Sequence, residues 1–258
     1  MSLLEYVLPL IEATPARVGF YFEDLTSGAR VEHQGYQRFP AASVIKVPIL
    51  LEVYRRAHLE ELDLSEEILL EKSHKVGGAG ILLEMHEGLK LSLEDLCRLM
   101  IVVSDNTASN LLLDKVGAEA VNRLMADLGM KESWIGRRFM EDPAPDRDNR
   151  MSPFDGALAL KAVWDKELLG ELAEPAREIL SRQQYREKIP LMLPPEIRVL
   201  HKTGELDGVR HDAALIESPR GAYLLSLFTD QGGAPWEVDL GLARISRACF
   251  DWVTAGRV

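Results

Sequence analysis

The sequence predicts an α+β fold: an antiparallel sheet built from both ends of the chain and flanked by the terminal helices, with an all-helical lobe inserted between them. Two observations support this. Strand-like segments lie near the two ends of the chain, and the central part carries apolar residues at helical spacing. The economical way to combine strands from both ends is one antiparallel sheet packed against helices.

The N-terminal part predicts one helix followed by a β-hairpin. Residues 2–13 have helical apolar spacing, which stops at Thr14-Pro15. Residues 18–25 are rich in aromatic side chains and predict a strand. The turn-forming string Thr26-Ser27-Gly28 then leads into a partner strand over residues 29–34.

The central part predicts a series of helices. They are Ala42–Arg56, Leu93–Val103, Ala108–Val116, Ala118–Leu128, Pro153–Trp164 and Ala173–Tyr185. Asn106 fits near a helix start and Gly117 just past a helix end. Pro48 is unexpected in the first helix, because a proline well past a helix start weakens or kinks the helix. The alternative is that Pro48 marks where this helix begins to be buried.

The last part of the chain predicts three strands and a closing helix. The strands are 197–203, 212–217 and 222–229. The helix covers residues 235–253. We therefore expect residues 1–36 and 187–258 to form an α/β sandwich lobe with the antiparallel sheet, and residues 37–186 to form the helical lobe. The active site is expected between the two lobes.

The composition is that of an ordinary globular protein and excludes several classes of function. The chain has 258 residues, of which 47% are hydrophobic and 28% charged, so it can bury a full core. Its formal net charge of −11 argues against nucleic-acid binding, which needs a basic surface. No apolar run approaches the roughly 18 residues of a transmembrane helix.

The N-terminus, the cysteines and the histidines exclude further classes. The start of the chain lacks a basic leader and carries Glu5 within its apolar run, so it is not a signal peptide. We expect a cytoplasmic protein, or a periplasmic or secreted one if a leader was removed. Cys97 and Cys249 lie in helix-like apolar stretches and predict buried free thiols. The histidines are scattered, so we expect no metal and no cofactor. We also expect a monomer.

Three short polar strings carry the chemical information: Ser43-Val44-Ile45-Lys46, Ser104-Asp105-Asn106 and Lys202-Thr203-Gly204. A serine three residues before a lysine should occur about once by chance in a chain of this length, but each of the other strings is expected only about 0.05 times. The presence of all three, in order and well spaced, is not accidental.

The first string supplies a nucleophile and a base. Serine becomes a good nucleophile only when a base takes its proton. Helical geometry places Ser43 and Lys46 on one face. At the start of a buried helix, the macrodipole and desolvation both disfavour the ammonium, which leaves a neutral amine that can act as the base. The N–H groups of the same helix start can contribute to an oxyanion hole. The alternative is that Ser43 is a helix cap and Lys46 a solvated side chain.

The other two strings supply hydrogen bonds and positive charge. Ser104 can relay a proton between substrate and lysine, and Asn106 can bind an acyl side chain; the alternative is a helix cap between two helices. Lys202-Thr203-Gly204 ends a predicted strand, where the glycine allows close backbone approach. Arg210 follows on or near the neighbouring strand. Its guanidinium can join the lysine and the threonine in a carboxylate clamp.

These strings resemble the motifs of class A β-lactamases and penicillin-binding proteins. The resemblance covers nearly the whole chain and includes the intervals between the strings. It implies a β-lactamase or transpeptidase-like fold and a serine hydrolase that acts on a small β-lactam or another acyl amide or ester. The implied roles are Ser43 as acylated nucleophile, Lys46 as base, Ser104 as relay, Lys202, Thr203 and Arg210 as carboxylate site, and the backbone N–H groups of Ser43 and Glu205 as oxyanion hole.

The chain departs from the family in the loop that serves deacylation. The efficient class A enzymes carry a loop glutamate with an asparagine four residues later. Glu141 is the candidate glutamate, at about the right interval from Ser104. However, Pro143 comes two residues after Glu141 rather than one, Pro145 stands at the asparagine's position, and the loop is several residues shorter. The assignment of Glu141 therefore competes with that of a solvated loop acid.

Two further departures concern Glu205 and a disulfide. Glu205 stands where the family has a small or hydroxyl residue, and a carboxylate there is expected to weaken the binding of anionic substrates. Some relatives link the helix of Cys97 to the nucleophile helix by a disulfide, but here Leu50 stands at the partner position.

The sequence therefore carries the groups that acylation needs, whereas efficient deacylation depends on the assignment of Glu141. Three functions are compatible with it. The favoured one is a class A β-lactamase-like serine hydrolase with slow turnover. The second is a D-alanyl-D-alanine carboxypeptidase or an esterase that uses the same nucleophile. The third is a penicillin-binding sensor module that remains acylated, which is less favoured because such sensors normally carry a membrane segment.

Overall fold

The structure is a computed structural model and describes residues 1–144 and 146–257. Its helices are α1 (Leu3–Ala13), α2 (Lys46–His58), α3 (Leu93–Val102), α4 (Asn106–Val116), α5 (Ala118–Asp127), α6 (Pro153–Trp164), α7 (Lys166–Leu169), α8 (Ala173–Ser181) and α9 (Pro235–Thr254). Its strands are β1 (Arg17–Asp24), β2 (Arg30–His33), β3 (Phe39–Pro40), β4 (Glu67–Leu69), β5 (Lys90–Ser92), β6 (Arg150–Met151), β7 (Arg198–Leu206), β8 (Val209–Ser218) and β9 (Gly221–Asp230). Short 3₁₀ turns cover Ala42–Ile45, Lys72–His74 and Gly170–Leu172.

A five-stranded antiparallel sheet is built from both ends of the chain, in the order β2-β1-β9-β8-β7. Strand β1, from the N-terminal part, pairs with β9, from the C-terminal part, and places Phe20 opposite Leu227. Strand β7 lies at one edge and pairs with β8. This sheet, with the helices between its N-terminal and C-terminal strands, confirms the predicted α+β class.

Apolar side chains pack on both faces of the sheet. On one face, helices α1 and α9 bury Val7 and Ile245 against sheet residues such as Phe20. On the other face, a larger core runs from sheet residues such as Phe228 into the central helices, including Leu50 of α2. Full burial of a side chain of this size contributes about 1.5–3 kcal/mol to stability. The exact boundaries of the two lobes remain a prediction.

The nucleophile segment begins as a 3₁₀ turn, which explains the position of Pro48. Helix α2 starts at Lys46, so Pro48 lies in its first turn, where a backbone N–H has no partner within the helix. The residue before the helix is Ile45, and no side chain caps the helix there. The alternative reading of Ser43 as a helix cap is therefore wrong.

The segment around the second string differs from its prediction at the helix start. Asp105 caps α4, since its side chain accepts a hydrogen bond from the backbone N–H of Ala108 at 2.9 Å. The helix therefore begins two residues earlier than Ala108, the predicted start. The β3–β6 and β4–β5 pairs were not predicted, because strands of two or three residues are too short to show a period.

Candidate active site

The 3₁₀ turn that carries Ser43 lies against the end of strand β7. A Cβ atom built on Gly204 would lie 3.0 Å from both the Ser43 backbone nitrogen and the Ala42 Cβ atom. Only glycine permits this approach without displacing the turn. The first and third strings therefore meet, and Ser43 remains partly accessible to solvent.

Lys46 extends from the start of α2 into a fully buried polar pocket. Its Nζ atom lies 2.7 Å from the backbone oxygen of Ser104, 3.2 Å from the Ser104 Oγ atom and 2.8 Å from Oδ1 of Asn106. The first and second strings thus share a network of hydrogen bonds. This network is buried, so its partners are held in fixed positions.

Lys202 also contacts the hydroxyl of Ser104. Its buried Nζ atom donates to the Ser104 Oγ atom at 3.0 Å and to the backbone oxygen of Thr203 at 2.8 Å. The Ser104 hydroxyl therefore lies between two lysine amines. Ser104 adopts a positive φ of 56°, an unusual backbone conformation for a residue other than glycine, and such conformations occur often at functional sites.

Both lysines have lowered pKa values. Burial, reinforced by the charge of Lys202, holds the pKa of Lys46 well below its ordinary value of 10.5, although Asp105 opposes the shift. Burial lowers the pKa of Lys202 to about 7, with Asp212 acting in the opposite direction. With a pKa of about 7, Lys202 is present in part as a neutral amine near pH 7, and the downward shift of the Lys46 pKa likewise favours a neutral amine that can accept a proton.

Asn106 is held by the polypeptide on both sides. Its Oδ1 atom accepts from Lys46, and its Nδ2 atom donates to the backbone oxygen of Gly77 at 3.0 Å. Asp105 binds the same glycine-rich loop by accepting from the backbone N–H groups of Ile81 and Leu82 at 2.6 and 2.8 Å. The second string therefore fixes the loop beside the lysine network. The predicted contact of Asn106 with an acyl side chain stays a prediction.

The predicted carboxylate clamp is assembled differently from the expectation. The Arg210 Nε atom donates to Asp239 Oδ1 at 2.8 Å, its Nη2 atom contacts the other oxygen of Asp239, and its Nη1 atom lies 2.8 Å from Glu205 Oε2. Lys202 instead points toward Ser104. The structure thus places Thr203 and Lys202 beside the nucleophile turn, but it pairs Arg210 with carboxylates of the protein itself.

The structure does not bring Glu141 to the nucleophile. Its carboxylate accepts from the backbone N–H of Arg138 at 3.2 Å, and its side chain is exposed. Among the described residues, no hydrogen bond or ion pair joins it to Ser43 or Lys46. The direct cause is the loop conformation: Met140, just before it, turns the chain with a positive φ of 69°. Pro145, expected at the asparagine's position, lies outside the described residues.

Phe139 occupies the loop position that faces the lysine network. The Nζ atom of Lys46 lies 4.7 Å from the centre of the Phe139 ring. Asn110 fixes the phenylalanine backbone on both sides: its Oδ1 atom accepts at 2.8 Å and its Nδ2 atom donates at 3.1 Å. Sequence reasoning missed both residues, because an apolar loop residue carries no chemical signal.

Three comparisons with known proteins agree with this geometry. The model of the β-lactamase enzyme family matches residues 3–253. The β-lactamase of Mycobacterium tuberculosis strain H37Rv is 26% identical over 249 residues, covering 90% of this chain and 79% of its own. That of Streptomyces cellulosae is 30% identical over 235 residues, covering 85% and 74%.

Solved structures show the same fold. The crystal structure of a β-lactamase from Sphaerobacter thermophilus superimposes with a TM-score of 0.91 at 35% identity, covering 99% of this chain and 97% of its own. PBP-A superimposes with a TM-score of 0.88 at 26% identity, covering 98% and 96%. The match of the family model over nearly the whole chain, on a fold that assembles the three strings, shows that this chain belongs to the β-lactamase enzyme family.

Proposed function

We propose that this protein is a serine hydrolase of β-lactams and related acyl amides or esters, with Ser43 as the acylated residue and slow release of the acyl group. The single observation that carries the proposal is the buried network in which the Ser104 hydroxyl lies between the amines of Lys46 and Lys202. The names of the relatives, β-lactamases among them, support the same class of substrate. The protein acts on a small molecule, and we expect it to do so as a monomer.

The network supports general base catalysis by Lys46. A neutral amine has two N–H donors and one lone pair. The Ser104 backbone oxygen and Oδ1 of Asn106 can take the two N–H groups, which leaves the lone pair to accept a proton from a hydroxyl, with the Ser104 Oγ atom 3.2 Å away. Lys46 follows Ser43 by three residues at a helix start, so the lone pair can serve the serine hydroxyl.

In the acylation step, each proton that leaves one group is taken up by another. The Oγ atom of Ser43 attacks the lactam carbonyl carbon while Lys46 takes the hydroxyl proton. The backbone N–H groups of Ser43 and Glu205 stabilise the oxyanion. The ring C–N bond breaks, and the leaving nitrogen takes a proton from the Ser104 hydroxyl, which is replenished through Lys202 or Lys46. The products of this half-reaction are a Ser43 ester and a protonated ring nitrogen.

Deacylation has weaker support. Water must be activated by a base on the side of the ester that faces the loop. Phe139 lies there and offers an apolar ring, whereas the carboxylate of Glu141 contacts the backbone of Arg138. We therefore expect the Ser43 ester to persist longer than in an enzyme with a carboxylate at this position.

A second candidate, a carboxypeptidase or esterase with the same nucleophile, is favoured by the apolar ring of Phe139 and by the likeness to PBP-A. One solved structure of a PBP-A variant, with a TM-score of 0.89 and 25% identity, is an acyl-enzyme complex with penicillin G. The third candidate, an acylated sensor, would normally carry a membrane segment. No helix among the described residues is long and apolar enough to cross a membrane.

The decisive experiment is a burst-and-turnover assay with a fluorescent penicillin, a cephalosporin and an aryl ester, combined with intact-mass and peptide mapping. We expect a mass increase on Ser43, a burst equal to the enzyme concentration and slow turnover. The variant Ser43→Ala should show no label, whereas Ser65→Ala, a matched change at an exposed serine, should label fully. Label on another residue would disprove the assignment, and ester turnover without a lactam burst would favour the esterase.

A further inference from the structure

A cluster of five charged side chains lies at the end of β7, beside the nucleophile turn. It consists of Glu187, Lys188, Glu205, Arg210 and Asp239. The buried Lys188 amine lies 2.5 Å from Glu205 and 2.7 Å from Glu187, and its distance to Asp239 is 3.8 Å. The two cations therefore face three carboxylates, and the cluster carries an excess negative charge.

Glu205 is the member of this cluster that belongs to strand β7. It follows Gly204, which touches the Ser43 turn, and lies directly opposite Arg210 in the sheet. Its carboxylate contacts both Lys188 and Arg210, at 2.5 and 2.8 Å. Although burial alone would raise it, these two cations hold the pKa of Glu205 below its ordinary value, so the carboxylate is charged near pH 7.

The negative charge extends to the rim of the cleft. Tyr185 is partly exposed, and its hydroxyl lies 3.4 Å from the backbone oxygen of Val103, next to Ser104. Burial raises the pKa of Tyr185, and the carboxylates of Glu205 and Glu187 raise it further. Of the two carboxylates, Glu205 has the larger effect on this tyrosine.

We propose that the Glu205 carboxylate occupies the cationic groups of Arg210 and Lys188 and so keeps them from a substrate carboxylate. The site therefore selects acyl donors that carry an uncharged group at the position of the penicillin carboxylate. This inference rests on the proposed acylation of Ser43. A substrate carboxylate would have to displace Glu205 from both cations, while Asp239 remains bidentate on Arg210. An ester or amide at the same position needs no such displacement. Glu205 is thus a specificity-determining residue.

The test compares three probes that share the β-lactam ring and its acyl side chain and differ in the charge of the group at the carboxylate position: benzylpenicillin, its neutral methyl ester and its cationic diethylaminoethyl ester. Acylation rate constants are measured by quenched-flow intact mass, and each is divided by the rate at which hydroxide opens the same probe. This correction removes differences in ring reactivity. We expect the methyl ester to react at least about tenfold faster than benzylpenicillin by this measure.

The variant Glu205→Gln should lower the ester-to-acid ratio toward one, because Arg210 and Lys188 become available to the penicillin carboxylate. The matched control is Glu187→Gln, which removes a carboxylate that contacts Lys188 but makes no ion pair with Arg210, and it should keep the ratio within about twofold. A variant that only destabilises the fold would slow the probes equally and leave the ratio unchanged.

Several results would overturn the inference. An ester-to-acid ratio near one in the unchanged protein, or the same ratio in Glu205→Gln, would show that Glu205 does not select for charge. A cationic ester that reacts more than about tenfold faster than the methyl ester would identify a cation-binding site instead. If all probes acylate Ser43 equally, only this inference fails; if none does, the proposed function fails with it.

Discussion

The two walls of the Ser43 cleft are built in opposite ways. One wall holds Lys46, Ser104 and Lys202, which are buried, come from regular elements or their ends, and share hydrogen bonds. The other wall is the loop around Phe139 and Glu141, where the residue that faces the network is apolar and the carboxylate is exposed. The first wall is equipped for proton transfer and the second is not.

This difference separates the two halves of the proposed reaction. In this proposal acylation uses groups that buried hydrogen bonds hold in place, whereas release of the acyl group uses the loop, in which none of the described residues offers a carboxylate hydrogen-bonded to Lys46. Burial of the lysines in the first wall lowers the stability of the fold, because their ammonium forms are disfavoured there. Sites of this kind commonly exchange stability for activity.

The largest expected effect comes from removing the base. Lys46→Met should slow acylation of Ser43 by about a hundredfold to ten-thousandfold, the range typical of general acid–base catalysis. The measurement is the acylation rate constant for a fluorescent penicillin. Lys90→Met, at an exposed lysine, serves as control and should acylate normally. Acylation by Lys46→Met within about threefold of the unchanged protein would show that the polar wall does not act through this amine.

The next effect should come from giving the second wall a base. Phe139→Glu places a carboxylate toward Lys46 and should raise the deacylation rate constant by at least about tenfold. Phe139→Gln is the matched control, because it is polar and similar in size to the glutamate but cannot take a proton. Single-turnover decay of the acyl-enzyme, followed by mass, measures both. Equal decay in the two variants would show that polarity or access of water, and not a base, limits release.

The smallest expected effect concerns the stability cost of the first wall. Lys202→Met should raise the melting temperature at pH 7 by about 2–4 °C, since it removes a buried amine whose charge is disfavoured. Lys90→Met, at an exposed position, should change it little. Calorimetry provides the measurement, and a lower melting temperature in Lys202→Met would contradict the idea that this wall is costly.

The same variant has an expected pH dependence. The pKa of Lys202 is about 7 in the folded protein and 10.5 ordinarily, so between these values the unfolded chain binds more protons. The free energy of unfolding of the unchanged protein therefore increases as the pH rises from 7 to 10.5, and decreases as the pH falls over the same range. The advantage of Lys202→Met should accordingly be largest at or below pH 7 and should disappear toward pH 10.5.

The sequence predicted the polar wall better than the loop, for a physical reason. Ser43 and Lys46 are neighbours in one helical turn, so their proximity follows from spacing alone. The strand predicted over residues 197–203 placed Lys202 near a strand end; the structure extends this strand to Leu206 and shows that it lies at the edge of the sheet. Patterns among residues close in sequence were therefore sufficient to predict both the α+β class and the candidate residues of the three strings.

The features that were not predicted depend on contacts between distant residues. Arg210 pairs with Asp239, which belongs to helix α9, and no local pattern reports such a contact. The direction of Glu141 depends on a left-handed turn at Met140, a residue type that gives no turn signal. Counting residues from Ser104 singled out the loop around Glu141 but could not determine which of its side chains faces Lys46.

The pairing of β1 with β9 has a consequence for how the chain acquires its fold. Phe20 lies opposite Leu227, so the first strand is made long before its partner. Contacts between segments so distant in sequence slow folding, and until they form the strand edges are open to association with other chains. We therefore expect newly made chains to pass through a stage in which the strands from the N-terminal part are unpaired with those from the C-terminal part, and in which dilution or a chaperone improves the yield of folded protein.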